Sequence, residues 1–139
     1  MVSIEQIRPE LTWRLRQEVL YPAQKLYEME LDEDNNGIHF GAFTDDELVG
    51  IISLFQTDKS FQFRKLAIST GYQKMGIGNK LLNRVEDFAA SENGTLIWCN
   101  ARVSAIGFYE KAGYHHTGKL FSKNGFDYEI LEKKIKKPV

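Results

Sequence analysis

The chain has 139 residues, of which 42% are hydrophobic, and these values predict one compact domain over residues 1–139 with a core that needs no disulfide or metal staple. Lys and Arg number 18 against 19 Asp and Glu, so the net charge is -1. This balance excludes a general basic surface for nucleic acid or anionic lipid, and any charge-based recognition must be local.

The cysteine count and the hydropathy of the chain indicate the cellular compartment of the protein. Cys99 is the single cysteine, which excludes an intramolecular disulfide and a zinc site made of thiolates. The first residues lack an apolar signal segment, and no apolar run approaches the roughly 18 residues that span a bilayer. We therefore expect a soluble, cytoplasmic protein with no membrane partner.

The first 22 residues predict an edge strand followed by a helix. Val2 to Ile7 alternates weakly between apolar and polar residues, and Pro9 suits a helix start. Pro22 interrupts that helix, and a fourfold spacing places three apolar residues on one of its faces, namely Leu11, Leu15 and Val19.

A second helical piece is expected at 23–30, with Leu26 as the main residue to bury and Met29 as the next candidate. It runs into an acidic stretch that ends at the turn signal Asn35-Asn36-Gly37. Two interpretations of the stretch stay open, a solvated loop and a cation-attracting rim beside an acceptor pocket. Its acidic residues are Glu28, Glu30, Asp32, Glu33 and Asp34.

Three strands follow, separated by two polar turns. Residues 38–43 and 48–55 are rich in β-forming residues and predict an antiparallel hairpin. Residues 61–68 first alternate between apolar and polar side chains and then become apolar. We therefore predict a strand that is half exposed at its start and buried at its end.

The remaining elements complete the predicted sheet. An amphipathic helix begins at Ile77, ends at Asn93-Gly94 and leads into a strand at 96–100, an order that predicts a parallel βαβ unit. A helix at 103–111 precedes a closing hairpin. With the early hairpin, this order predicts an α/β fold in which helices flank one mixed sheet. The closing hairpin comprises residues 114–120 and 126–135.

The segment from Gly71 to Lys80 lies between a predicted strand end and a helix start. Gly76 and Gly78 have no Cβ, so a phosphate can approach the unpartnered N–H groups at the helix N-terminus. Lys74 and Lys80 add positive charge. We interpret the segment as a loop that holds an anion.

Two other families of phosphate loop fit the spacing less well. A Walker loop requires Lys and then Ser or Thr directly after its second glycine, but Ile77 and Gly78 follow Gly76. A dinucleotide fingerprint requires Gly or Ala where this chain has Leu81. The pattern Gln73-x-x-Gly76-x-Gly78 instead resembles the acetyl-CoA pyrophosphate loop of the GNAT family of N-acetyltransferases.

A second stretch, residues 100–114, is similar to the other signature of that family, Asn-x₄-Ala-x₂-Phe-Tyr-x₃-Gly-Phe/Tyr. Asn100, Ala105, Phe108-Tyr109 and Gly113-Tyr114 match it in spacing. The two matches cover residues 61–114. The resemblance implies a central, mostly antiparallel sheet with one splayed parallel pair, whose strands would end at Ile68 and Asn100.

The resemblance also implies acetyl-CoA as cosubstrate, with no metal. Backbone groups of Leu66 and Ile68 would pair with the pantetheine arm, and an amide there would polarise the thioester carbonyl. The implied cofactor-binding residues are Leu66, Ala67, Ile68, Gln73, Lys74, Met75, Gly76, Ile77, Gly78, Asn79, Lys80, Asn100, Ala105 and Phe108.

Tyr109 is the implied catalytic residue, because a phenol can donate its proton to the departing thiolate. The acceptor amine must also lose a proton. Many relatives carry a glutamate on the strand before the phosphate loop, yet here that strand offers Gln62, Arg64 and Lys65 and no carboxylate. The remaining candidates for the base are Asp127, His115, His116, Glu30 and Asp58.

Three further features are interpreted as structural. His39 begins a predicted strand, and Cys99 lies in an apolar strand with no companion base in the sequence. The basic tail at 133–137 is interpreted as a solvated strand end.

Together these observations predict an N-acetyltransferase that moves an acetyl group from acetyl-CoA to a primary amine by direct attack in a ternary complex. The acceptor is a small molecule or a peptide or protein amine. A non-catalytic acyl-CoA-binding sensor or partner-binding module is the alternative, favoured by the missing strand carboxylate and disfavoured by Tyr109. A nucleotide-binding regulator is a third hypothesis, and a homodimer is common among such folds.

Overall fold

A computed structural model describes residues 1–136 of the chain, so Lys137 at the end of the predicted basic tail lies outside the described residues. Within that range, seven strands form one mixed sheet in the order β1-β2-β3-β4-β5-β7-β6. β4 and β5 pair in parallel, and the pairs β1–β2, β2–β3, β5–β7 and β6–β7 are antiparallel. The predicted mixed, mostly antiparallel sheet is confirmed. The strands are β1 (Ser3–Ile7), β2 (Ile38–Thr44), β3 (Glu47–Thr57), β4 (Ser60–Ile68), β5 (Leu96–Arg102), β6 (His115–Lys123) and β7 (Phe126–Lys134).

The helical segments are short apart from one. The α-helices are α1 (Trp13–Leu15), α2 (Ile77–Ser91) and α3 (Ile106–Lys111). The first helical segment changes its winding along its length, from a 3₁₀ turn at Pro9–Thr12 through α1 to a π-helical stretch at Arg16–Leu20. Shorter 3₁₀ turns lie at Leu26–Met29, Asp34–Asn36, Thr70–Tyr72 and Val103–Ala105.

Both predicted hairpins are present, and their turns have a shared geometry. Asp45 and Asp46 join β2 to β3 with φ of 49° and 64°, and Asn124 and Gly125 join β6 to β7 with φ of 52° and 83°. Two successive positive φ values are typical of the type I′ turn, whose twist matches that of antiparallel strands. The polar residues at both turns therefore fix the hairpins locally.

The chain divides into two compact units, residues 1–55 with 63–87, and residues 56–62 with the chain from residue 88 onward. In the first unit, Leu15, Ile51 and Ala67 form a buried cluster, and Val19 packs against it. The apolar helical face predicted from Leu15 and Val19 is confirmed, whereas Leu11 is 42% exposed.

The second helical piece is shorter than predicted, a single 3₁₀ turn at Leu26–Met29. Met29 is buried, but Leu26 is 52% exposed, so the expectation that Leu26 is buried was wrong. One turn of four residues is too short to present a continuous apolar face. Leu26 also directly follows the extended N-cap Lys25, where the chain enters the turn.

β4 alternates between buried and half-buried residues up to Phe63 and again from Leu66 to Ile68. Phe61, Phe63 and Ala67 are buried, while Leu66 and Ile68 are half-buried, so the prediction that the strand is buried at its end was wrong for Leu66 and Ile68. The strand is also irregular, because Lys65 has a φ of 59°. A non-glycine residue in the left-handed region interrupts the extended backbone.

α2 follows the predicted amphipathic pattern. Its buried residues are Ile77, Leu81, Leu82, Val85 and Ala89. Beyond its C-terminus, Asn93 takes a left-handed φ of 60°, and the amides of Asn93 and Gly94 donate to the carbonyls of Ala90 and Ala89. This pair of bonds is a Schellman motif, which explains why the helix ends at the predicted Asn-Gly signal.

Candidate active site

The loop between β4 and α2 lies within the first unit and leaves backbone amides available. Lys74 and Gly76 have left-handed φ values of 63° and 82°. The backbone amide of Lys80 donates to the Gly76 carbonyl at 3.2 Å. The N–H groups of residues 77–79 come before this bond and therefore have no acceptor within the helix. A Cβ built on Gly76 would meet no atom within 4 Å. A ligand can therefore approach the backbone here.

Most side chains of this loop face solvent. Gln73, Lys74, Met75, Asn79 and Lys80 are exposed and Gly78 is half-buried. The Ile77 side chain is 2% exposed and belongs to the core, so only its backbone is free to meet a ligand. The side-chain amide of Gln73 donates to the Ile68 carbonyl at 3.0 Å and connects the loop to the end of β4.

The end of β4 combines a core residue with two half-buried neighbours. Ala67 lies in the cluster with Leu15 and Ile51, so any contact that it makes with a ligand uses its backbone. Leu66 and Ile68 are half-buried. In the first unit, the structure thus brings this strand end together with the start of α2.

The remaining predicted site residues lie in the second unit. Asn100 is an exposed residue of β5 between the buried Cys99 and Ala101. Ala105 is the N-cap of α3, the helix that carries Phe108 and Tyr109. The Tyr109 ring makes edge contacts with Phe108 at 5.1 Å and Tyr114 at 6.0 Å.

Burial raises the pKa of the Tyr109 phenol well above its usual value. The neighbouring Cys99 raises this pKa further, while Arg102 lowers it. The phenol is therefore protonated at neutral pH, and it can donate a hydrogen bond but cannot serve as a base.

The Cys99 thiol and the His39 ring are structural, as predicted. Burial raises the pKa of Cys99 to about 12, so its thiolate is not populated near neutral pH. His39 is buried, with Nδ1 2.7 Å from the Ser53 hydroxyl and Nε2 2.8 Å from the Asp34 carbonyl. Both ring nitrogens are thus occupied.

The other candidates for the base are engaged in hydrogen bonds, lie in a turn or are exposed. His116 has Nδ1 2.9 Å from Glu129 and Nε2 3.0 Å from Glu110, and these hydrogen bonds raise its pKa. Both ring nitrogens are thus engaged, which leaves neither free to take a proton from an acceptor. Asp127 accepts a hydrogen bond from Ser122, and Asp58 lies in a turn with a φ of 55°. Two candidates, Glu30 and His115, are exposed.

The acidic stretch contains an ion pair that the sequence did not reveal. Arg16 is fully buried and makes two bonds of 2.9 Å to Asp34, one to each carboxylate oxygen. The guanidinium also donates to the Met29 carbonyl and the Ser53 hydroxyl, each at 2.9 Å. Burial alone raises the pKa of Asp34, but the bonds from Arg16 and the Leu31 amide outweigh it and lower this pKa. The interpretation of the acidic stretch as a solvated loop is therefore wrong at Asp34.

Lys133, in the predicted solvated tail, is also engaged. Its ammonium donates to the Ala112 carbonyl at 2.9 Å, just beyond the end of α3. A cation at that place complements the helix dipole, so this lysine caps α3.

The described part of the chain has neither a candidate metal cluster nor a candidate membrane span. Across residues 1–136, no three His, Cys, Asp or Glu side chains are grouped so that they could hold a metal ion. No helix in the same range has both the length and the apolar character needed to cross a membrane.

Known proteins resemble this chain along nearly its whole length. A family model described as an acetyltransferase (GNAT) domain matches residues 5–135. The uncharacterized N-acetyltransferase YitI of Bacillus subtilis (strain 168) is 28% identical over 140 residues, which cover 94% of each chain. An aminoglycoside 6'-N-acetyltransferase crystallised with coenzyme A has a TM-score of 0.82 at 21% identity, with 99% of both chains covered. The ribosomal-protein-S18-alanine N-acetyltransferase from Escherichia coli has a TM-score of 0.78 at 15% identity, covering 100% of this chain and 97% of its own.

Proposed function

Because this chain belongs to the GNAT family of acetyltransferases across residues 5–135, we propose that it transfers an acetyl group from acetyl-CoA to a primary amine. The amine attacks the thioester carbonyl directly while both reactants are bound. Orienting two bound reactants supplies much of the rate in such a reaction. The open N-terminus of α2, with room for a ligand at Gly76, is the observation that carries this proposal.

In this proposal, the pyrophosphate of coenzyme A binds the backbone amides between Gln73 and Asn79. Amides at a helix N-terminus attract anions through their own N–H groups and through the helix dipole. The exposed ammonium groups of Lys74 and Lys80 add positive charge at the rim. Met75 and Ile77 contribute backbone N–H groups.

The pantetheine arm is proposed to pair with backbone groups of Leu66 and Ile68, as a peptide adds to a strand. Ala67 lies between them and keeps its side chain in the core. Asn100 would hydrogen-bond the arm through its exposed amide, and Ala105 and Phe108 would pack beside it.

Tyr109 is proposed to donate its phenolic proton in a hydrogen bond to the thiolate of coenzyme A as the carbon–sulfur bond breaks. The raised pKa of this phenol supports the role, because the group stays protonated until the thiolate forms. The nitrogen of the collapsing intermediate supplies the proton that finally leaves with the thiol.

The acceptor is proposed to be a primary amine on a small molecule or on a peptide or protein. The names of two fold neighbours include both kinds, an aminoglycoside and the alanine of a ribosomal protein. A single catalytic domain over residues 1–139 and a homodimer remain predictions.

A non-catalytic acyl-CoA-binding module is the second candidate. The specific observation in its favour is that β4 carries no carboxylate to act as base. The two candidates are separated by measuring thiol release from acetyl-CoA with a panel of primary amines. Tight binding of coenzyme A without thiol release from any amine would favour the binding module.

The role of the open N-terminus of α2 is tested by measuring, by calorimetry, the affinity of the Gly76→Leu variant for coenzyme A. A leucine here fills the open space through which the phosphate approaches, and we expect at least a tenfold loss of affinity. Gly125→Leu is the matched control, because Gly125 has nearly the same φ, 83° against 82°, and equally open surroundings. Equal affinities in the two variants would contradict the loop assignment.

A further inference from the structure

Lys65 occupies an unusual position on β4. Lys65 lies two residues before Ala67, which is buried in the cluster with Leu15 and Ile51. Lys65 is itself half-buried, and its φ of 59° is in the left-handed region. A left-handed conformation is strained for a non-glycine residue, and such strain is concentrated at functional positions. Lys65 directly precedes Leu66, the first residue proposed to bind the pantetheine arm.

The partner of the Lys65 ammonium is a tyrosine. Nζ donates to the Tyr21 hydroxyl at 2.7 Å and lies 4.4 Å from the centre of the Tyr21 ring. Tyr21 is the C-cap of the π-helical stretch Arg16–Leu20, and π-helical turns are frequent at functional sites. A local distortion in each of two elements therefore brings these two groups together.

Two arginines act electrostatically on Lys65. Arg64 is its neighbour on β4 and pairs with Glu33, and the buried Arg16 pairs with Asp34. Among the ion pairs of residues 1–136, none joins Lys65 to a carboxylate. Burial lowers the pKa of the Lys65 ammonium, and Arg64 and Arg16 lower it further, while the Tyr21 hydroxyl opposes them. A lowered pKa makes the neutral amine, which is the form that accepts a proton, easier to reach than in an exposed lysine.

We propose that Lys65, held by Tyr21, is the general base that removes a proton from the ammonium group of the acceptor. The inference rests on the proposed acetyl transfer and supplies the base that β4 otherwise lacks. The N–H bond of the acceptor breaks, its electron pair stays on nitrogen for the attack, and the proton moves to the lone pair of Nζ. Lys65 then returns that proton to solvent before the next turnover.

The test compares Lys65→Arg with the unaltered protein, using two probe amines. Arginine keeps the positive charge but cannot accept a proton near pH 7. Propylamine is almost wholly protonated at pH 7 and needs a base, whereas trifluoroethylamine is largely neutral and does not. For Lys65→Arg we expect kcat/KM to fall by at least about 100-fold with propylamine and by less than about fivefold with trifluoroethylamine. Lys25→Arg is the matched control, since Lys25 is an exposed lysine near the ring of Tyr27.

The Tyr21→Phe variant tests the pairing, because it keeps the ring and removes the hydroxyl. That hydroxyl favours the charged form of Lys65, so its removal lowers the pKa of Lys65 further. We expect the acid limb of the kcat/KM profile to shift to lower pH. A merely structural role of Tyr21 would lower activity without moving this limb.

Equal losses with the two amines in Lys65→Arg would overturn the proposal, since they would indicate positioning. The pKa of Lys65 can also be measured without turnover, by NMR titration of the protein with ¹⁵N-labelled lysines. The Lys65 signal is assigned as the one that is missing from Lys65→Arg. Lys65 titrating with the exposed lysines would also overturn it. Failure of the proposed function is a different result, because the unaltered protein would then release no thiol from acetyl-CoA with either amine.

Discussion

Arg16 and Asp34 form an ion pair whose side chains are 0% and 3% exposed. Two charges removed from water lose much hydration energy, and their attraction repays it only when the remaining donors and acceptors are also satisfied. Here the Met29 carbonyl, the Ser53 hydroxyl and the Leu31 amide satisfy most of the network, and the buried Nε of Arg16 has no partner among residues 1–136. The pair therefore fixes the acidic stretch against the first helical segment, and breaking one side leaves a buried charge.

We expect Asp34→Asn to lower the free energy of unfolding by about 3–5 kcal/mol, because Arg16 keeps its charge without a counter-ion. Urea unfolding at pH 7 measures the change. Asp32→Asn, an exposed residue of the same acidic stretch, should stay within about 0.5 kcal/mol of the unaltered protein. Equal losses in the two variants would mean that Asp34 is no more important than a surface acid.

The same pair predicts a dependence of stability on pH. The pKa of Asp34 is lower in the folded protein than in the unfolded chain, so its stabilisation is complete above about pH 4. It is lost as the pH falls through the lowered pKa. Unfolding in urea below pH 4 should therefore show a steeper loss of stability in the unaltered protein than in Asp34→Asn, and parallel curves would contradict this.

Tyr109 is the residue for which a loss of activity without a loss of binding is expected. Tyr109→Phe keeps the ring contacts with Phe108 and Tyr114 and removes the hydroxyl. We expect kcat to fall by about 100-fold and coenzyme A affinity to change less than twofold, because the hydroxyl acts only on the departing thiolate. Tyr128→Phe, whose ring stacks on Phe121, is the control and should keep full activity. Unchanged turnover in Tyr109→Phe would remove its proposed role.

At the scale of elements, the start of α2 packs closely against β3 because Gly50 has no side chain. A Cβ on Gly50 would lie 2.9 Å from Ile68, 3.1 Å from Leu81 and 3.2 Å from Ile77. These three side chains flank the glycine loop on both sides, so the fit at Gly50 sets how closely the strand end and the helix start approach. The loop geometry thus depends on a residue outside the loop.

We expect Gly50→Ala to destabilise the fold by about 1–3 kcal/mol through overpacking. We also expect coenzyme A affinity to fall severalfold, because Ile68 and Ile77 must shift. Gly107→Ala serves as the stability control, since its added Cβ meets no atom within 4 Å and alanine favours a helix. Unfolding curves and calorimetry on both variants measure the two effects, and an unaltered affinity in Gly50→Ala would separate the loop from this packing.

Local signals explain what the sequence could predict. The hairpins, α2 and its Asn-Gly end follow from turn residues and periodicity within a short stretch of chain, and the glycine loop is contiguous. Lys65 and Tyr21 are 44 residues apart in the sequence, and Asp34 and Arg16 are 18 residues apart. Neither contact therefore leaves a pattern within a short stretch of chain. The irregular φ of Lys65 also has no sequence signal, because lysine does not favour that conformation.

At the scale of the whole molecule, ligand binding and folding are one linked equilibrium. The net charge of -1 gives no general attraction for a polyanion such as coenzyme A, so its affinity must come from the loop and from the contacts of its arm. A ligand that binds only the folded state stabilises it by RT ln(1 + [L]/Kd). Thermal unfolding therefore reports binding without knowledge of the acceptor.

We expect coenzyme A at 100 times its Kd to stabilise the protein by about 2.7 kcal/mol, which for a chain of this size is a rise in Tm of roughly 8–11 °C. ATP at the same concentration shares the phosphates but has no pantetheine arm to pair with β4, so its effect should be much smaller. The Gly76→Leu variant should lose most of the response to coenzyme A, while Gly125→Leu keeps it. A larger rise with ATP than with coenzyme A would favour a nucleotide-binding regulator, because the arm would then contribute nothing to recognition.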